Sequence, residues 1–528
     1  MAAILRSALS MSAATTLSRV TGYARTMTQA ATLGTGAVAN AYTLSNMLPT
    51  QIYELFMGGI LSSIFIPLLV ERLTRHGEED ARRLTNALLT LIVPLLGLVA
   101  LLGMAFAGPL VHLATAWGPS RDFSPSEARE ATSLAVLLFR VFALQILFYG
   151  FGALATGVLN THRRFFLPTF APVLNNLIVI ASFGAYALLV GESPTAAIYT
   201  LAFGTTLGVA VMSLVLVPPA WRLGYRPRPT LGHPALLSAA RLAGPVLILV
   251  AATVGVQVAL NLFGSSFGGV EKLYYAFVIF SLPYGVFVVA IATALVPELS
   301  ERSARADVGS YRESLSFGLR TTAFVTVPAS VGLVALAHPV VGLLYEHGNF
   351  TPEDTAEVAT LLAAYSVGLL GYAASFVLVR SFYSRQNTKV PAALNVGLLA
   401  IYVALAYGLS RTMGLAGVAL AFSVAYTVLA LTLLMAMRTE IGRLDERQLL
   451  RSLARIVAAG AVMYAVARGG TILLGEGSET IERSIIVIVV GGLSLAAYLG
   501  AAYLLRAEEL KSAVALLRSR TAERQKLS

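Results

Sequence analysis

The chain has 528 residues, of which 57% are hydrophobic and only 12% charged, with a mean hydropathy of +0.75 and a net charge of +11. A soluble domain carries about 25% charged residues, so this composition excludes a soluble enzyme or binding module and points to a polytopic membrane protein. The absence of cysteine excludes disulfides, iron–sulfur clusters and thiol nucleophiles, and the positive charge is no nucleic-acid signal, because the basic residues sit in short loops and form no stripe interleaved with aromatics.

A bilayer core needs about 20 apolar residues per helix. Fourteen stretches qualify. Six lie near 8–33, 38–70, 85–107, 132–158, 170–190 and 197–218. Six more lie near 240–263, 272–297, 317–345, 356–382, 391–409 and 414–437, and two follow near 452–473 and 484–505. The sequence therefore predicts an all-α membrane protein with 14 transmembrane helices.

The first stretch carries Arg19 and Arg25 and no other charge between Ala8 and Leu33. It is not read as a cleaved leader, because the two arginines interrupt it and no clean cleavage site follows. An arginine at mid-bilayer costs at least about 2.5–3.5 kcal/mol, so such residues usually face a watery cavity. A spacing of six residues puts the pair within about 120° of each other, loosely on one side of a helix. Two guanidinium forks suit a phosphate or diphosphate far better than a metal cation. The alternative reading is that both lie near span ends and snorkel to headgroups.

The second stretch is unusually long. Pro49 interrupts it, and Gly58 and Gly59 follow. Proline removes a backbone hydrogen bond, and broken helices at membrane depth are tolerated where they line a cavity. Glu54 stands one turn past the break. An acid there either pairs with a cavity arginine, faces water or sits near an interface.

Loop charge sets the orientation. One set of loops, with Arg72, Arg163, Arg222, Arg302, Arg385, Arg438 and the tail from Arg506, holds roughly 26 basic residues, and the opposite set holds about six, which places both termini in the cytoplasm.

The chain also repeats itself. Leu48-Pro49, Ile66-Pro67 and Glu71-Arg72 are echoed by Leu282-Pro283, Val296-Pro297 and Glu301-Arg302. The loop from Asn160 to Arg164, with Pro168, is echoed by Ser384 to Lys389, with Pro391. Both copies keep the same side, so the repeat is parallel. Two six-helix lobes with a site between them is transporter architecture. This divides the chain into an N-lobe at 1–220, a C-lobe at 221–440 and two further spans with a cytoplasmic tail at 441–528. Pro49, Gly58, Gly59 and Pro283 become hinge candidates.

Other chemistry finds little support. The six histidines show no HxxxH or HExxH spacing, so no metal site is expected, and no Walker sequence GxxxxGK[ST] occurs. Acids in the outer loops, among them Asp122, Glu127, Glu130, Glu346, Glu353, Asp354 and Glu357, read as solvated loop faces. No catalytic residue is assigned.

Specific strings then carry a resemblance. They include Ser18-Arg19-Val20, Gly22-Tyr23-Ala24-Arg25, Leu48-Pro49, Gly157-Val158-Leu159-Asn160-Thr161 and Gly348-Asn349-Phe350-Thr351. The most diagnostic is Phe382-Tyr383-Ser384-Arg385-Gln386-Asn387-Thr388-Lys389 with Pro391. On these the chain resembles the MurJ/MviN lipid II flippases of the multidrug/oligosaccharidyl-lipid/polysaccharide exporter superfamily.

The resemblance implies fourteen helices with a V-shaped central cavity between the lobes, and a groove formed with the last two helices that would hold a polyprenyl tail. It implies a flippase in the bacterial plasma membrane, not an enzyme. Its substrate would be lipid II, an undecaprenyl-diphosphate glycopeptide moved to the outer leaflet for peptidoglycan synthesis. Arg19 and Arg25 match the family's first-span arginines. The second-span arginine positions appear here as Tyr53 and Glu54, the eighth-span position as Val278, and an early second-span acid as Asn40. The cavity is thus less basic than the family pattern, and Arg140 in the fourth span is a candidate for compensating charge.

The resulting expectation is a diphosphate clamp at Arg19 and Arg25, with Asn40, Tyr53, Glu54 and Arg140 lining the cavity. Transport would proceed by alternating access, without a cofactor, driven by membrane potential or an ion gradient. Partners would be lipid II, the bilayer and cell-wall synthesis or division proteins, with no nucleic acid. The competing readings are a flippase for another polyprenyl-linked glycan and a drug or cation antiporter of the same superfamily.

Overall fold

Inside a bilayer every backbone N–H and C=O must find a partner within its own segment, so long apolar stretches fold as helices. The computed structural model describes residues 2–55, 65–116, 124–226, 228–230, 232–443, 446–475, 477 and 479–510, and its regular structure is helical. The first half comprises α1 (Ala2–Leu33), α2 (Ala37–Tyr53), α3 (Ile66–Ala105), α4 (Ala107–Ala114), α5 (Pro125–Phe142), α6 (Gln145–Thr161), α7 (Phe166–Leu189), α8 (Pro194–Leu214), α9 (Val217–Arg222) and α10 (Pro234–Ser265). The second comprises α11 (Val270–Pro283), α12 (Val289–Ala304), α13 (Val308–Ala335), α14 (Ala337–Tyr345), α15 (Pro352–Val367), α16 (Leu369–Ser384) and α17 (Lys389–Met413). It ends with α18 (Leu415–Ile441), α19 (Glu446–Leu474), α20 (Thr480–Ile485) and α21 (Gly491–Leu504).

Among the described residues eleven helices are long and apolar enough to cross a membrane. The bent pair α15–α16, which turns by 46°, makes a twelfth where the stretch 356–382 was expected. The two remaining expected spans, 8–33 and 38–70, fall on α1 and α2. Both are helical. Serines, threonines and three arginines dilute α1, and only 17 residues of α2 lie before the undescribed segment, so neither is apolar or long enough to count by itself.

Two compact units divide the chain: Met1–Glu271 with His347–Thr351, and Lys272–Glu346 with Pro352–Ser528. Residues 221–271 were expected in the C-lobe, yet they belong to the first unit, and the contacts explain why. Helix α10 packs against α2, α3 and α4. The Thr230 amide donates to Thr90 Oγ1 at 3.0 Å, and the Ala116 amide donates to Ser265 Oγ at 2.9 Å. The last two spans form no separate body. Helix α19 packs on α13, and the Tyr498 hydroxyl donates to the Phe324 carbonyl at 2.8 Å.

Each unit contains the same lock, which supports the repeat. In the first, Arg82 donates to the Leu223 carbonyl at 3.2 Å, and Gly224 at φ 87° lies against the guanidinium. In the second, Arg312 donates to the Ile441 carbonyl, and Gly442 at φ 78° takes the same place. Both glycines adopt a left-handed backbone in which a Cβ would strike the guanidinium. The paired turns after α6 and α16 match as well: Arg163 and Gln386 both adopt positive φ, near 58° and 59°.

Pro49 does not break α2. The helix runs on to Tyr53, and the irregularity falls one turn later, where residues 54–55 are π-helical. In the second unit Pro283 ends α11 and a π-helical turn, Tyr284–Val288, follows at once. A missing N–H displaces the hydrogen-bond ladder, and such π turns often mark functional positions. Gly58 and Gly59 lie outside the described residues.

Candidate functional site

Helix α1 is held at a fixed rotation by α7. Asn176 Nδ2 donates to Thr21 Oγ1 at 3.1 Å and to the Ser18 carbonyl at 3.3 Å. Arg25 is seven residues from Ser18, close to two full turns, so it falls on nearly the same face and is half-buried. Arg19 is about 100° round from Ser18 and is exposed. The far end of α1 is capped from a distant segment. The Asn349 amide donates to the Ala31 carbonyl at 2.9 Å, and Asn349 Nδ2 donates to the Thr32 carbonyl at 2.7 Å. These last-turn carbonyls have no partner inside the helix.

Arg25 belongs to a polar group contributed by three helices. The Tyr149 hydroxyl on α6 lies within electrostatic reach of both Arg25 and Glu54. Thr50 Oγ1 on α2 donates to it at 3.4 Å, and the Tyr53 and Tyr149 ring centres lie 5.5 Å apart. The structure places Arg25, Tyr53 and Glu54 near one another, together with Thr50 and Tyr149. Glu54 is exposed, and among the described residues it forms no ion pair. A guanidinium beside phenol and hydroxyl donors is chemistry that binds an anion with several oxygens.

Two expected members stand elsewhere. Asn40 does not line a cavity: it is fully buried, its Nδ2 donates to the Gly268 carbonyl at 2.8 Å, and its Oδ1 accepts from the Val270 amide at 3.0 Å. Its amide closes the turn between α10 and α11, a role set by tertiary packing. Arg140 is exposed in the last turn of α5, two residues before the break that splits the expected fourth span, and it forms no ion pair with Glu54 among the described residues. A cation there complements the negative end of the helix dipole.

The diagnostic string near 382–391 serves the fold. Arg385 Nε pairs with Glu440 at 2.9 Å and the Arg385 guanidinium covers the Tyr311 ring at 5.4 Å, while the Tyr311 hydroxyl donates to the Ser381 carbonyl at 2.8 Å. The outer-loop acids are engaged too. Glu127 completes a capping box with Ser124, and Glu346 pairs with Arg483 at 2.8 Å and accepts from Thr355 at 2.7 Å. Asp354 and Glu357 both face Lys272, and Asp122 lies outside the described residues.

In the second unit an apolar groove of about 250 Å³ runs between α13, α16, α18 and α19. Leu319, Ala323, Leu370, Leu453 and Ile456 line it, and Arg320 and Ser452 are its polar members. The groove expected from the resemblance used both of the last two spans. This one takes residues from α19 and none from α21.

The fold places the protein in a known class. It superposes on a solved structure described as lipid II flippase MurJ, inward closed conformation, with a TM-score of 0.74 at 24% identity, over 94% of this chain and 98% of that one. An inward-facing multidrug resistance MATE family transporter of the MOP superfamily gives a TM-score of 0.66 at 16% identity, over 81% of this chain and 96% of that one. The molecule is a bacterial membrane protein with the fold of these transporters. In sequence, the profile of the family described as lipid II flippase MurJ matches residues 29–479. The probable lipid II flippase MurJ of Rhizobium meliloti (strain 1021) is 32% identical over 460 residues, 86% of this chain and 84% of the relative. The protein of the same description from Bdellovibrio bacteriovorus is 30% identical over 516 residues, 96% of each. The chain belongs to the lipid II flippase MurJ family.

Proposed function

We propose that this protein moves lipid II from the cytoplasmic to the outer leaflet by alternating access, with both termini in the cytoplasm. Membership of the MurJ family across 29–479 supports the substrate. The grouping of Arg25 with Thr50, Tyr53 and Tyr149 supports the clamp. In this reading Arg19 and Arg25 grip the diphosphate through charge-assisted hydrogen bonds, which are strong where bulk water is partly shut out. Arg19, being exposed, makes first contact, and the half-buried Arg25 with the Tyr149 hydroxyl completes the grip. The sugar and peptide travel in water while the polyprenyl chain stays in lipid. No covalent bond changes, so the protein acts as a transporter and not as an enzyme. A cationic pair that moves with the helices feels the membrane potential, about 2.3 kcal/mol per charge for each 100 mV crossed.

Growth of a flippase-depleted cell tests the clamp. The double variant Arg19→Ala, Arg25→Ala is expected to insert at normal levels and fail to restore growth. Normal growth of that variant would remove the clamp from the account.

A further inference from the structure

The apolar groove of the second unit ends on a buried cation. Arg320 is 9% exposed and stands about 18 Å along α13 from its N-terminus, inside the first turn of the expected span 317–345. On that expected span it stands near one face of the bilayer. The groove rim at Val367 and Leu431 is exposed, so the slot opens sideways toward lipid.

Two carboxylates now occupy the cation. Arg320 Nη1 pairs with Glu508 at 2.9 Å and with Glu509 at 3.2 Å. Gln448 Nε2 donates to Glu508 at 3.1 Å, and Ser452 Oγ donates to Glu509 at 2.7 Å. The acids arrive on a short fold-back after α21, whose turn puts Arg506 at a positive φ of 55°. Yet the arrangement is incomplete. Arg320 Nε and Glu509 Oε2 are both buried with no hydrogen-bond partner among the described residues. Burying an ion pair costs desolvation of both charges, and a pair left with open valences is weak as a stabilising device. It is better suited to being exchanged.

We propose that Arg320 and the adjoining groove form a binding site for an anionic phospholipid of the bilayer, and that Glu508 and Glu509 hold the site closed. The lipid phosphate takes the guanidinium, including its unused Nε–H, and one acyl chain lies along Leu319, Ala323, Leu453 and Ile456. Binding displaces Glu508 and Glu509, so the leaflet's anionic lipid content controls whether these two carboxylates stay on Arg320.

Native mass spectrometry of the purified full-length protein, with phosphatidylglycerol and phosphatidylcholine of identical chains, tests this. In the double variant Glu508→Gln, Glu509→Gln the cation is uncovered, and retention of phosphatidylglycerol over phosphatidylcholine should rise roughly tenfold above wild type, the scale of one charge-assisted hydrogen bond. Adding Arg320→Met to that background leaves no unpaired charge and should erase the gain. Ala374 of α16 also lines the groove, and adding Ala374→Phe instead fills it, touches no charge, and should also erase the gain. Ser452→Ala alone loosens Glu509 and should shift retention the same way, by less. The proposal is overturned if the double variant shows no preference, if either added substitution leaves the preference intact, or if added undecaprenyl phosphate is retained in place of phosphatidylglycerol.

Discussion

Arg25 and His162 show how much a side chain's burial decides. Arg25 lies within electrostatic reach of the Tyr149 hydroxyl, as Glu54 does, so its charge is held next to a donor that an anion also uses. His162, at the end of α6, lies against the Tyr225 hydroxyl at 3.0 Å, and burial pushes its imidazole below the ordinary histidine range, with Arg164 and Arg82 acting in the same direction against Glu78. The folded state therefore binds a proton on this ring less readily than the unfolded chain, which takes one up near the ordinary value of 6.5. The stability this contributes is fully present above that pH and declines as pH falls from there toward the folded-state value. Thermal unfolding of the purified protein at pH 7.5 and 5.5 should show an acid-side loss in wild type that His162→Gln reduces. An equal loss in both proteins would rule out His162 as its source. At this scale sequence reasoning found Arg25 because an arginine inside an apolar stretch is conspicuous. Tyr149 carries no such signal: an aromatic in a span reads as packing, and only its hydroxyl hints otherwise. Arg320, Glu508 and Glu509 were hidden because acids in a terminal segment read as solvated.

At the level of the helix, apolar length made the spans legible and proline made the irregular ones legible. The π turns after Pro49 and Pro283 sit in corresponding helices, as the repeated Leu-Pro pairs suggest. What hydropathy cannot supply is which helices share a body. Asn40 decides part of that for α2. It bridges α2 to the turn at 268–270 with one donated and one accepted hydrogen bond, both buried. The family resemblance suggested a cavity wall, and the partner turn, 228 residues away, is invisible in the local sequence. Asn40→Ala leaves a buried carbonyl and a buried amide unpaired, at a cost of about 2–3 kcal/mol. Denaturant or thermal unfolding in detergent should register that loss. A variant as stable as wild type would show that water or a shifted turn replaces both bonds.

The whole molecule is a pair of units that each close on an arginine, a carbonyl and a left-handed glycine, Arg82 with Gly224 and Arg312 with Gly442. Duplication was legible from the charged loops, whereas the unit boundary was not. The span near 240–263 has the hydropathy of any other, and the region 221–271 joins the first unit through contacts such as Thr230 with Thr90. The central claim is that this fold carries a diphosphate-linked lipid across the bilayer on two arginines of α1. Leaflet exchange of fluorescent lipid II in liposomes containing the purified protein tests it most directly, with another polyprenyl-linked glycan alongside. The account predicts exchange of lipid II by wild type, much slower exchange of the other glycan, and exchange at the rate of protein-free liposomes for Arg19→Ala, Arg25→Ala. Exchange by the double variant at the wild-type rate, or equal exchange of both glycans, would contradict it.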